Sequence, residues 1–61
     1  MYRVLIEQDG KITYQLNVSS RAYAVFEARE LAYEANGVKV DPASDMARYQ
    51  TKNGVIRAIT C

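Results

Sequence analysis

The sequence predicts an α+β fold: one small domain over residues 1–61, ordered ββαββ, with a four-stranded antiparallel sheet and one helix packed on one of its faces. Three observations predict it. Asp9-Gly10 and Asn53-Gly54 each sit between alternating apolar and polar runs, and such pairs mark hairpins because their residues tolerate the positive φ of tight turns. Between them, a helical pattern runs from Arg21 to Asn36 without Gly or Pro.

The first strand covers Tyr2 to Gln8, with Tyr2, Val4 and Ile6 in one phase. The second covers Lys11 to Val18, with Ile12, Tyr14, Leu16 and Val18 alternating against Lys11, Thr13, Gln15 and Asn17. A two-residue turn at Asp9-Gly10 would oppose Ile6 to Thr13 and put the two apolar sets on different faces. A three-residue loop, Gln8-Asp9-Gly10, removes that conflict by pairing Glu7 with Lys11, Ile6 with Ile12 and Val4 with Tyr14, with Gly10 left-handed in a G1 bulge.

Ser19 or Ser20 supplies the helix N-cap and Gly37 the stop. At about 100° per residue, Ala24, Val25, Ala28, Leu31, Ala32 and Ala35 form the stripe expected to face the sheet, while Glu27, Glu30 and Glu34 form a solvated one. Val38 to Val40 alternates too briefly to be read as a strand. Asp41-Pro42 opens a loop or single helical turn as far as Asp45, with a short helix through Met46 as the other reading. A strand from Ala47 to Lys52, the Asn53-Gly54 turn and a strand from Val55 to Thr60 complete the chain. A two-residue turn there pairs Thr51 with Ile56 and Tyr49 with Ala58.

Composition excludes several function classes. With no histidine and one cysteine, Cys61, the chain has neither an internal disulfide nor a Cys/His zinc set. No glycine-rich phosphate loop, nucleophile elbow or convergent carboxylate pair occurs, so no catalytic residue, cofactor, metal or small-molecule substrate is expected. The chain contains no signal-like or membrane-spanning run, so a cytoplasmic location is expected. Eight Lys plus Arg against seven Asp plus Glu leave a net charge of +1, so any electrostatic role rests on how the charges segregate.

Two surfaces remain. Tyr23, Phe26 and Tyr33 lie on the side of the helix away from the alanine stripe, with Arg29 beside them. Aromatic residues and arginine are enriched where proteins bind one another, so this stripe is the expected contact with a protein partner or with a second copy in a homodimer. The competing arrangement rotates the helix to bury Ala22, Val25, Phe26, Ala32 and Tyr33 and leaves Arg29 to snorkel outward. The second surface is the open sheet face, where parity places Arg3, Lys11, Arg48, Lys52 and Arg57 against Glu7. Arg3, Arg48, Lys52 and Arg57 of that face, with Arg21 at the helix N-terminus, form the alternative site, a nucleic-acid interface tracking a phosphate backbone. Tyr2, Tyr14 and Tyr49 point inward by parity, which removes the base-stacking residues such interfaces normally use. A third reading makes the Glu27, Glu30 and Glu34 stripe an acidic decoy.

In size, and in a strand-strand-helix start where Val18-Ser19-Ser20 leads into alanines at four-residue spacing, the chain resembles the small accessory proteins carried by phages and plasmids. The resemblance implies a soluble protein acting on a host component. It transfers no site residue.

Overall fold

The computed structural model describes residues 1–61. It shows an α+β domain whose sheet has five antiparallel strands: β1 (Tyr2–Gln8), β2 (Lys11–Val18), β3 (Val38–Lys39), β4 (Ala47–Gln50) and β5 (Val55–Thr60), with α1 (Arg21–Glu34) between β2 and β3. The spatial order is β2-β1-β5-β4-β3, so the first and last long strands pair at the centre. The expected four-stranded ββαββ arrangement therefore gains an edge strand. Two residues of β3 pair Val38 with Gln50 and Lys39 with Tyr49, too short a segment to leave a periodic signal.

The first hairpin resolves its parity conflict differently from the expected three-residue loop. Asp9 (φ 53°) and Gly10 (φ 77°) are both left-handed, as a two-residue type I′ turn requires. Gln8 pairs with Lys11 and Glu7 with Ile12, and a bulge at Thr13 then brings Ile6 opposite Tyr14 and Val4 opposite Leu16. The extra residue flips the later phase, so Tyr14, Leu16 and Val18 join Tyr2, Val4 and Ile6 on the helix side. Ile12 moves to the open face, and Lys11 takes the helix-side phase instead of the open one.

The second hairpin also differs from expectation. Tyr49 pairs with Ile56 and Ala47 with Ala58, leaving Thr51–Gly54 as a four-residue loop outside the shortened β4. Neither Asn53 nor Gly54 has a positive φ. Gly54 is required by space instead, since a Cβ there would run into the Glu7 carbonyl oxygen and Gln8 Cγ at the end of β1. The Thr51 hydroxyl holds the loop, accepting from the backbone N–H groups of Asn53 (3.3 Å) and Gly54 (3.0 Å).

Ser20 caps α1, its Oγ accepting from the Tyr23 backbone N–H at 3.2 Å. The helix ends two residues before Asn36, which is itself left-handed (φ 55°). Gly37 N–H donates to Ala32 O (2.6 Å) and Asn36 N–H to Tyr33 O (3.3 Å), a Schellman closure that brings Gly37 close against Ala32. Residues 41–46 form no second helix. Asp41 Oδ1 accepts from Ala43 N–H, and Asp45 N–H closes a turn on Pro42 O.

Ala24, Ala28 and Ala32 of the predicted stripe are buried against Val4, Ala47, Tyr49, Ile56 and Ala58, with Leu31 packed beside them. Ala35, at the C-cap, is exposed. Small side chains let the helix approach closely but bury little apolar area each. Nine residues are buried in all, five of them alanine, so the hydrophobic core is thin.

Candidate functional site

With the alanines facing the sheet, the opposite crest of α1 is left to solvent, and the rotated alternative does not occur. Tyr23 is 47% exposed, Phe26 43% and Tyr33 82%. The rings of Tyr23 and Phe26 stack with centroids 6.3 Å apart and an interplanar angle of 25°, and the Arg29 guanidinium carbon lies 5.7 Å from the Phe26 centroid. Tyr23, Phe26 and Arg29 follow at three-residue spacing, which brings successive side chains together along one helix surface. Tyr33 lies two turns beyond Phe26 on the same crest and touches neither ring.

Glu27, Glu30 and Glu34 flank this crest, and none of them is in an ion pair; the three pairs in the molecule join Arg48 to Asp45 and Arg57 to Glu7 and Asp45. The Glu27 charge raises the Tyr23 phenol above its ordinary value, with smaller upward contributions from burial and from Tyr14.

The predicted cationic face is organised by a residue that sequence reasoning did not single out. The Asp45 carboxylate, 3% exposed, accepts from Arg57 Nε (2.8 Å) and Nη2 (2.9 Å) and from Arg48 Nε (3.0 Å). Arg57 Nη1 also donates to Glu7 Oε1 at 2.9 Å. These guanidinium bonds hold the Asp45 carboxyl below the ordinary carboxylate range, and Asp45 in turn raises Arg57. Arg3 donates to Asn17 Oδ1 at 3.1 Å. Lys52 sits in the β4–β5 loop and Arg21 at the start of α1, so the five alternative residues do not converge on one patch. Leu5, between its cross-strand neighbours Gln15 and Arg57, is buried on this face. The signal available for Asp45 was its three-residue spacing to Arg48; nothing local pointed to Arg57.

Two hollows mark the surface. One, of about 210 Å³, lies between the C-terminal end of α1 and the β4–β5 loop, lined by Ile6, Leu31, Ile56 and Lys52 among others. The other is an open depression bordered by Tyr33, Glu34, Asn36 and Gly37. Neither brings a pair of opposed ionisable groups around an enclosed space. No helix is long and apolar enough to cross a membrane. Comparison with protein families, curated proteins and solved structures gave no match.

Proposed function

We propose that this chain is a small non-enzymatic protein-interaction module that grips a protein partner through the crest of α1, with Tyr23, Phe26, Arg29 and Tyr33 as the contact residues. The observation that carries this reading is the solvent-facing Tyr23–Phe26–Arg29 stack, which lies outside the hydrophobic core. Aromatic and arginine anchors dominate binding energy at protein interfaces, and their stiff side chains lose little freedom on contact. The unpaired carboxylates around the stack favour a partner surface with an apolar centre and a basic rim. An accessory role, binding a host component without chemically altering it, fits such a surface. The nucleic-acid alternative is weakened because Arg48 and Arg57 are already bonded to Asp45 and Glu7.

The test compares tagged wild-type protein with Phe26→Ala/Tyr33→Ala in the cell that carries the gene. A stoichiometric protein partner held by wild type and lost by the variant, with unchanged circular dichroism, is the expected result. A partner retained by the variant refutes the assignment. In parallel, salt-sensitive binding of fluorescent single- or double-stranded nucleic acid that is lost in Arg3→Glu/Lys52→Glu would transfer the function to the cationic residues.

A further inference from the structure

Sheet edges expose unpaired backbone N–H and C=O groups, and proteins blunt them with short strands, charges, proline or bulges. The two edges of this sheet are treated very differently. β3 is two residues long and one of them is Lys39. β2 is eight residues long, has no proline and carries a single charge, Lys11, at its first position. Its bulge lies near the turn, opposite Ile6 and Glu7, and leaves Tyr14–Val18 regular.

α1 covers β1, β5 and β4 and barely reaches β2. Every residue from Lys11 to Gln15 is exposed, including Ile12 (53%) and Tyr14 (38%). The outer strand is thus rich in aromatic, aliphatic and β-branched residues, of which Leu16 and Val18 pack against the margin of the core while Ile12 and Tyr14 stay exposed. Such an edge is a template for another strand.

We propose that β2 is a self-association edge, at which two copies of this chain pair their β2 strands antiparallel about a twofold axis normal to the sheet. This surface is distinct from the crest of α1. The result is one continuous ten-stranded sheet with both helices on the same face. Opposed residues in an antiparallel pair share a face, so the regular Tyr14–Val18 segments match like with like. Tyr14, Leu16 and Val18 of the two copies join into one apolar strip on the helix side, while Gln15 and Asn17 meet on the other face, where the Asn17 oxygen already accepts from Arg3 and its amide N–H can donate to Gln15.

Charge and spacing agree with this occupant. When the pairing is centred on Tyr14–Val18, the two Lys11 side chains are carried to opposite ends and do not meet each other across the seam. With each helix centred on β5, five strand spacings of about 4.8 Å set the helix axes roughly 24 Å apart. Helices about 10 Å wide then leave a gap of comparable size over the seam. Tyr14 of both copies borders that gap. A thin, alanine-rich core is also the circumstance in which small domains gain most from oligomerisation.

The experiment measures association of the full chain by sedimentation across micromolar to millimolar concentration, with Gln15→Lys/Asn17→Lys, Gln15→Glu/Asn17→Glu and their equimolar mixture. Wild type is expected to dimerise. Each charged variant should dimerise about tenfold or more weakly, because like charges face each other on adjacent strands. The mixture should recover dimer, a result that misfolding of either variant would not produce. A wild type that stays monomeric throughout overturns the proposal, as do charged variants that associate like wild type. Association lost in Phe26→Ala/Tyr33→Ala but intact in the charged variants places the contact on the helix crest and overturns it equally.

Discussion

Asp45 is the residue on which most of the polar structure depends. Its carboxylate is almost fully removed from solvent and bonded to two guanidiniums that remain partly exposed, at 34% for Arg48 and 26% for Arg57. Removing one member of a buried pair leaves the others uncompensated, and solvent reaching the arginines moderates that cost. Asp45→Asn is therefore expected to destabilise the domain by about 1–3 kcal/mol in urea unfolding at neutral pH. The pH dependence has a definite sign. Because the folded carboxyl lies below its unfolded value of about 4, its contribution is present above that value and is lost as pH falls through the folded one. Acid titration of stability should therefore show a drop below about pH 4 that is smaller in Asp45→Asn. Gly54 makes a steric counterpart. A methyl group there meets backbone at Glu7, which has no flexible end to yield, so Gly54→Ala should cost about 1–3 kcal/mol in the same assay.

At the scale of elements, α1 is held by packing and caps against its own terminal charges. No acidic residue lies in its first turn and no basic residue in its last; Arg21 opens the helix and Glu34 closes it. Both oppose the macrodipole. Arg21→Glu and Glu34→Lys should each raise stability by about 0.3–1 kcal/mol at low salt, read as a higher thermal midpoint, with the gain shrinking as salt is added. The same element shows why parts of the fold were legible in the sequence. Ser20, the alanine spacing and the Gly37 stop act within a turn or two of their own positions, so the helix could be read directly, while the choice between its two candidate buried faces rested on the sheet. Pairing is different in kind. Whether Val4 meets Tyr14 or Leu16 depends on two things, a turn of two residues rather than three and the inserted residue Thr13, and both options satisfy the same alternation. β3 exists because β4 offers an edge to Val38 and Lys39, and the Asp45–Arg57 contact spans twelve positions across a loop and a hairpin. The aromatic crest was legible because it is a helix periodicity; the cationic face was legible only as parity, which located the arginines but not the carboxylate that occupies them.

For the whole molecule, an edge-paired dimer makes stability depend on concentration. The monomer is already compact, with a radius of gyration of 10.2 Å, close to the ~10 Å expected for a chain of this length, so compaction does not itself require a partner. What a second copy adds is burial of the β2 strip and satisfaction of its outer backbone groups. If native dimer unfolds to two free chains, each tenfold rise in concentration stabilises the dimer by about 1.4 kcal/mol, or about 0.7 kcal/mol per chain. A domain of this size converts 1 kcal/mol into about 4–8 °C, so the thermal midpoint should climb by roughly 3–6 °C per tenfold step once the dimer dominates. Gln15→Lys/Asn17→Lys should show no such climb in the range where wild type does. Phe26→Ala/Tyr33→Ala should keep it, because the crest lies outside the seam. A midpoint independent of wild-type concentration would mean a domain that folds alone, with β2 an edge left open to solvent.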